Sequence, residues 1–389
     1  MSAASFIPPD GYSVADYGAM IGDRARARAY AAALRQVVRA HSIVLDIGTG
    51  AGAFALLACE LGARRVVALE PGDVIELARE LAIANGYQNR IEFIQDVSTN
   101  VTLAERADVV VSDLRGALPL YRLHIPSVID ARERLLAGGG SLIPQRDQVW
   151  ATLVDDPDVY RRYLEAWRTW PGIDMEAARK HVVNTPLSLR PTFDQFLAEP
   201  QCWTTLDYRT IDSPNVDAGL EWCVARPGVG HGFALWFSPT LAEGISYSLL
   251  PWRPDSVYRG VFFPFPEPLT LARGDTVSVD LRASLIGTEY IWRWETRACV
   301  QGDSGSELTN FSQSTVHSVL AGQLRRVTAT HTPTLNEDGR LDALVLSKMS
   351  DRVPLEEIAR EVEARFPDRF GTWEQAFDYV AALASRYSR

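Results

Sequence analysis

From residue 23 the chain alternates between two periodicities. DRARARAYAAALRQVVR carries small and apolar residues at helical spacing and leads into HSIVLDIG, a short apolar run that reads as a strand. The alternation repeats as a helix at GAFALLACELG, a strand at RRVVALE, a helix at DVIELARELAIANG, strands at RIEFIQDV and DVVVSD, and a helix around IPSVIDARERLLAGGG. Gly62 and Gly86 stand where a left-handed residue closes a helix. Strands joined through helices need crossover connections, so a parallel sheet covered on both faces is expected.

Beyond Pro144 the pattern changes. QVWATLVD, GFALWFS, GVFFPFPEPLTLARGDTVSVDLRASL and YIWRWETR are rich in β-branched and aromatic residues broken by Pro and Gly, which predicts an antiparallel sandwich or barrel with the aromatics in its core. Residues 155–200 mix helix and loop signals. From Thr332-Pro333 helical spacing returns at Leu355, Ile358, Ala359, Val362 and Phe366, and again at Trp373, Phe377, Val380, Leu383 and Tyr387. Pro354 suits the first turn of one helix and Thr372 the N-cap of the next. The expected organisation is an α/β, Rossmann-like domain over residues 1–145, a β-barrel over 146–330 and a small helical module over 331–389.

With 389 residues, 47% hydrophobic and 23% charged, the chain has the make-up of a soluble protein of more than one domain. A net charge of -10 argues against nucleic acid as the partner, because phosphate binding wants a basic face. Cys59, Cys202, Cys223 and Cys299 show no CxxC spacing, so neither a metal site nor a disulfide framework is expected. The start of the chain lacks the basic and apolar regions of a secretory signal, and no apolar run reaches membrane-spanning length. A cytoplasmic protein with no membrane partner is the expectation.

Candidate chemistry begins at VLDIGTGAGAF, where Gly48, Gly50 and Gly52 lie between a strand and a helix and let the backbone approach a ligand. Gly48-x-Gly50-x-x-Ala53 also fits a relaxed dinucleotide fingerprint. Asp46, just ahead of the first glycine, would repel a pyrophosphate and accept from an ammonium group. Glu70, at the end of the second strand, is placed to hold two ribose hydroxyls. A nucleoside that carries a zwitterionic amino acid satisfies both, and that ligand is S-adenosylmethionine.

Taken with YGAMIGDRARARAY ahead of the first strand, ALE after the second, SDLRGALPLYR after DVVVSD and IPQRDQVWATLVD at the entry to the β region, residues 12 to about 330 resemble the protein arginine methyltransferase family. The resemblance implies a Rossmann-like methyltransferase domain, a β-barrel and a head-to-tail homodimer. It also implies that Arg26 clamps the cofactor carboxylate, that Asp96, Val97 and Ser98 border adenine, and that Tyr17 and Met20 lie over the sulfonium, where aromatic and thioether surface suits a positive sulfur.

The loop SDLRGALPLYR departs from that family. Where the family carries two glutamates nine positions apart that grip a guanidinium from both sides, this chain has Asp113 and Arg122. An arginine acceptor would meet a cation in place of an anion. The family's Thr-His-Trp loop is placed at Thr309-Asn310-Phe311, which lacks the histidine. Three readings are open for Arg122: an internal pair with Asp113 that leaves the loop a structural remnant, a contact to a substrate carboxylate, or a substrate arginine that still binds through other acids. His124 is the candidate general base, against a bland role as a packed side chain.

Residues from about 330 to 389 resemble PqqD-like peptide-recognition domains, small winged-helix folds in which a sheet edge and a helix hold the leader of a ribosomally made precursor peptide. A short strand and a polar turn are expected ahead of the VPLEEIAREV helix. The expected function is an S-adenosylmethionine-dependent methyltransferase that tailors a peptide or protein, with a precursor peptide as partner and an acceptor other than a standard guanidinium. The alternatives are an arginine N-methyltransferase with a rebuilt clamp and a non-catalytic peptide-binding scaffold.

Overall fold

The computed structural model describes residues 12–168, 170–249, 256–302, 305–318, 332–367 and 369–387. Two helices, α1 (Val14–Gly22) and α2 (Arg24–Val37), precede a parallel sheet built from β1 (Ile43–Ile47), β2 (Arg65–Leu69), β3 (Ile91–Ile94), β4 (Ala107–Ser112) and β5 (Leu136–Ile143). Their order, β3-β2-β1-β4-β5, puts the order reversal beside β1, and α3 (Ala53–Glu60), α4 (Ile75–Ala84) and α5 (His124–Asp130) supply connections. Every residue of β1 is buried, as a central strand covered on both faces must be. Gly62 and Gly86 take the left-handed conformation beyond α3 and α4.

The run LAGGGSLI, expected to finish a helix, is instead β5. After α5 one π-helical turn, Ala131–Leu135, ends the helix and the chain extends at Leu136. Three successive glycines weaken a helix by roughly 1 kcal/mol each relative to alanine, whereas an extended segment at the sheet margin tolerates them. β5 pairs with β4, with a register shift between Ala107 and Val109.

The β region opens with β6 (Arg146–Val154). Residues 155–200, ambiguous in sequence, hold α6 (Pro157–Tyr163), α7 (Glu176–Val182) and the short β7 (Leu187–Leu189). There follow β8 (Gln201–Asp207), β9 (Val216–Cys223), β10 (Gly228–Ala242), β11 (Ile245–Ser246), β12 (Gly260–Leu271), β13 (Thr276–Ile286), β14 (Glu289–Gly302) and β15 (Gly305–Ser314). Among the described residues the expected barrel is built as two antiparallel sheets, ordered β7-β12-β10-β6-β8 and β15-β14-β13-β9, with β11 on β10. Both contribute to one aromatic core, in which Phe233 stacks on Phe263 at 5.0 Å and Trp294 meets Phe263 edge-on at 5.0 Å.

Residues 1–319 and 320–389 are two compact units. The second holds α8 (Glu337–Ser350), α9 (Leu355–Arg365) and α10 (Trp373–Tyr387) around Leu341, Val345, Ile358, Val362, Ala376 and Val380. The strand expected ahead of α9 is therefore a helix. Leu341 and Val345 lie one turn apart and are both fully buried, with Leu344 and Met349 beside them, which is helical rather than alternating periodicity. The described residues of this unit contain no strand, so the sheet edge of a winged helix is not among them. Residues 1–11 and 319–331 lie outside the described part. No helix among the described residues is long and apolar enough to cross a membrane, and no cluster there could hold a metal ion.

Candidate active site

The carboxyl ends of β1 and β2 run in register, Ile47 beside Leu69, and the chain then turns sharply because the amides of Gly48 and Thr49 both donate to the Leu69 carbonyl, at 2.8 and 2.9 Å. Gly50 sits in this turn at φ +53°, and a Cβ there would lie 2.7 Å from the Tyr17 ring. Tyr17, from α1, thus lies directly on the turn, and only glycine permits both the conformation and the approach. Gly48 and Gly52 share the left-handed conformation.

Asp46 is wholly buried. Its Oδ2 accepts from the Thr49 hydroxyl at 2.6 Å and the Ala55 amide at 3.1 Å, while Oδ1 has no partner. Burial pushes this carboxyl up to about 7. An unsatisfied buried carboxylate oxygen is costly unless a donor reaches it, and a ligand ammonium is a donor of the right charge. Glu70 is pinned at the edge of the turn, with Oε2 accepting from the Gly50 amide at 3.0 Å and Oε1 from the Gly72 amide at 2.9 Å. After β3, Asp96 accepts from the Val97 amide at 2.7 Å and from Asn100 at 2.9 Å, Ser98 is buried, and the Val97 side chain stands 44% exposed. The structure therefore gathers Tyr17, Asp46, the glycines, Glu70 and Asp96–Ser98 along the carboxyl ends of β1, β2 and β3, where open α/β sheets bind ligands.

On the other side of β1, Asp113 follows β4. Asp23 caps α2 through the Arg26 amide at 3.2 Å, and Arg26 then reaches across. Its Nε donates to Asp113 Oδ2 at 2.6 Å and its Nη1 to the Met20 carbonyl at 3.2 Å. Asp113 Oδ1 accepts from Arg115 Nε at 2.9 Å and from the Tyr258 hydroxyl at 2.6 Å. Burial pushes the Asp113 carboxyl up, but Arg115 and Arg26 outweigh it and hold it well below the usual carboxylate range. Arg115 is fully buried and also donates to Asp147 Oδ1 at 2.8 Å and to the Tyr30 hydroxyl at 2.6 Å. Asp147 in turn accepts from Tyr208 at 2.6 Å.

Of the readings open for Arg122 the internal pair with Asp113 is not formed: Arg122 adopts φ +42°, is 53% exposed at its side chain, and has Glu289 as its ion-pair neighbour at 3.6 Å. Two expectations need correction. His124 is 2% exposed, and its Nε2 lies 3.0 Å from the Tyr208 hydroxyl. Since Tyr208 spends its proton on Asp147, His124 Nε2 carries hydrogen and Nδ1 is left without a partner. Burial, followed by Arg115, lowers its pKa to about 3, so it stays neutral and enclosed and does not serve as a general base for an incoming acceptor. Thr309, Asn310 and Phe311 lie within β15, with Phe311 packed on Phe265 in the core. The segment that enters the site is Ser256-Val257-Tyr258. The Ser256 hydroxyl and the Val257 amide both donate to Asp23 Oδ2 at 3.2 Å, and Tyr258 donates to Asp113.

Sequence reading missed Arg115, Tyr258, Asp147, Tyr30 and Tyr208. Arg115 had a signal, because in SDLRG a residue two positions beyond an aspartate shares its side of an extended chain. The others arrive from distant elements and had none.

Two family models match in tandem: residues 27–133 match "Ribosomal protein L11 methyltransferase (PrmA)" and residues 145–285 match "Arginine methyltransferase oligomerization subdomain". Protein arginine N-methyltransferase 6 of Danio rerio is 30% identical over 267 residues, which cover 64% of this chain and 76% of the relative. The probable protein arginine N-methyltransferase 6 of Arabidopsis thaliana is also 30% identical, but over 56% of this chain and 52% of its own length, so the chain spans about half of that relative. In fold the chain is similar to a Trypanosoma brucei enzyme-prozyme heterotetrameric PRMT1 complex with AdoHcy (TM-score 0.69, 18% identity, 78% of this chain and 98% of that one) and to Arabidopsis thaliana protein arginine methyltransferase 10 (TM-score 0.67, 21% identity, 78% and 97%). The chain belongs to the protein arginine N-methyltransferase family, and with it to the S-adenosylmethionine-dependent methyltransferases.

Proposed function

We propose that this member of the family methylates a protein or peptide at a group other than the arginine guanidinium. One observation carries the reading: each oxygen of Asp113, the carboxylate at the first clamp position, is already bonded to a guanidinium of the chain itself, Oδ2 to Arg26 and Oδ1 to Arg115, and Tyr258 takes a third bond. At the second clamp position stands a cation, Arg122. A substrate guanidinium entering there finds no free anion and one like charge.

The cofactor fits the residues present. Asp46 Oδ1 is suited to the amino group, Glu70 to the ribose, and Val97 with Asp96 and Ser98 to the adenine edge. Arg26 uses Nε and Nη1 within the chain, so Nη2 remains for the cofactor carboxylate. S-adenosylmethionine supplies a methyl group on a positively charged sulfur. The protein's part is to orient and to exclude water, which Tyr17 does by covering the glycine turn.

A homodimer is part of the proposal. The match to the oligomerization subdomain supports it, as do Trp170 and Ile173, exposed between α6 and α7 at 61% and 56%. Four unpaired thiols suit a reducing compartment such as the cytoplasm. A precursor-peptide leader held by strand addition needs a sheet edge, and the described residues of the C-terminal unit are helical, so no docking strand is found among them.

Arginine methylation by a rebuilt clamp is the second reading, favoured by the relatives' names. The test is transfer of isotopically labelled methyl from S-adenosylmethionine to protein, followed by complete hydrolysis and amino-acid analysis. Labelled protein without methylarginine is expected; recovery of the label as methylarginine refutes the proposal.

A further inference from the structure

The surroundings of Asp113 also decide what a nucleophile can bring into the site. Guanidinium, ammonium and hydroxyl groups must each give up a proton on methylation, and for that a site needs a base. The carboxylates and the histidine enclosed at the site are all committed. Asp113 holds three donors and is stabilised as the anion, which makes it a very weak base. His124 is enclosed against Tyr208. Glu70 accepts two backbone amides, and Asp46 lies at the bottom of the glycine turn under Thr49 and Ala55.

What faces outward is of the opposite character. Arg122 projects from a left-handed backbone position, its guanidinium 5.5 Å from the Tyr121 ring, paired loosely and in the open with Glu289 at the start of β14. The Tyr12 phenol is pushed up to about 12 by burial, with Tyr121 and Tyr17 adding to it. Tyr12 and Tyr17 meet edge to face at 5.8 Å. Tyr17 lies on the Gly50 turn, Tyr121 packs where a Gly116 Cβ would be, and Arg122 stands exposed beside Tyr121 on the loop that begins at the Asp113 carboxylate, itself neutralised from within.

Building on the methyltransferase reading, we propose that the acceptor is a carboxylate, received by Arg122, and that Arg115 sets this choice by occupying Asp113 in place of a substrate guanidinium. A carboxylate is the common protein nucleophile that carries no proton at neutral pH. One of its oxygens attacks the methyl carbon, the new C–O bond forms as the C–S bond breaks, and the bonding pair leaves with sulfur. The products are a methyl ester and a neutral thioether, and no proton moves, so the lack of a base is no handicap. Glu289 holds Arg122 until the acceptor displaces it, an exchange of one exposed carboxylate for another.

The 389-residue protein is incubated with labelled S-adenosylmethionine and four mixtures of nine-residue peptides with amidated C-termini, each with a central Asp, Glu, Arg or Gln and flanks random over residues other than those four. The expected product is label in the Asp or Glu mixture that mild alkali releases as methanol. Arg122→Gln, a change at an exposed position, is expected to raise KM for that mixture roughly tenfold with kcat nearly unchanged, from the loss of a charge-assisted contact. The same variant is expected to weaken equilibrium binding of the central-Asp peptides to cofactor-free protein, measured by fluorescence anisotropy, by a similar factor. Glu289→Gln is expected to lower KM by roughly threefold, since it releases Arg122. Alkali-stable label in the Arg mixture overturns the carboxylate assignment and leaves the methyltransferase reading standing. Label in the Gln mixture does the same. Ester formation unaffected by Arg122→Gln overturns the part given to Arg122. If a protein that binds S-adenosylmethionine labels no mixture, both readings fall.

Discussion

Replacing Arg115 by methionine tests the central network, and its cost follows from the contacts. The guanidinium is fully buried between Asp113 and Asp147. Without it, Asp113 keeps Arg26 and Tyr258, but Asp147 keeps only the Tyr208 hydroxyl. Burial already pushes the Asp147 carboxyl up against the pull of Arg115, and removing that pull in Arg115→Met raises it further. A carboxyl that folds protonated at pH 7, roughly three units above its unfolded pKa, costs at most about 4 kcal/mol, which lies within the about 3–5 kcal/mol expected when one partner of a buried pair is removed. Because the folded-state pKa moves further above the unfolded one, the loss grows as pH rises and shrinks as it falls, to at most about 1.5 kcal/mol at pH 5. Urea denaturation at pH 5, 6 and 7, followed by tryptophan fluorescence, measures it; Trp373 is the single tryptophan beyond residue 319, so the signal reports on the first unit. Adding Asp147→Asn removes the titrating group and is expected to recover about 2–3 kcal/mol at pH 7. A loss that does not vary with pH, or no recovery in the double variant, refutes the network as described.

Other outcomes follow from the cofactor cradle and the loop. Asp46, with its carboxyl near 7, must ionise to meet a ligand ammonium, so S-adenosylmethionine binding at pH 6 is expected to release close to one proton, read by calorimetry in buffers of different ionisation enthalpy; Asp46→Asn abolishes the release and weakens binding. Gly50→Ala places a Cβ 2.7 Å from the Tyr17 ring at a left-handed position, and is expected to raise Kd for S-adenosylmethionine at least roughly tenfold while costing the fold about 1–2 kcal/mol; unchanged affinity would show that Tyr17 does not lie on the turn. Arg122→Glu recreates an anion at the second clamp position without freeing Asp113, so native methyl transfer falls and hydrolysates still contain no methylarginine; appearance of methylarginine shows that Asp113 was open after all.

The parallel sheet was legible in the sequence because local signals sufficed for it: VLDIGTGAG carries the strand, the turn and the start of the next helix within one short stretch, and burial of β1 requires its unbroken apolar run. β5 was not, because LAGGGSLI has no alternation and becomes a strand only by pairing with β4. The site divides along the same line. Of the residues proposed for the cofactor, Asp46, the glycines and Glu70 sit at strand ends fixed by the parallel register, so spacing gathers them, while Tyr17 and Asp96–Ser98 were implied by the family resemblance. Spacing does not gather the acceptor residues. Asp113 and Arg122 are near in sequence, yet Gly116 lets the loop close, with Tyr121 packed where a Cβ would be, and the left-handed turn at Arg122 aims that side chain outward. The partner Asp113 takes instead is Arg115, and Arg115 can be buried there only because Asp147 on β6 and the hydroxyl of Tyr30 on α2 complete its coordination. Those positions are 32 and 85 residues away. A charged residue in SDLRG looks solvent-exposed until the β domain closes over it, so the feature on which the proposed acceptor rests is a tertiary one. Sequence alone set Asp113 and Arg122 nine positions apart in one loop, and the fold adds that the Asp113 carboxylate is occupied by Arg26, Arg115 and Tyr258.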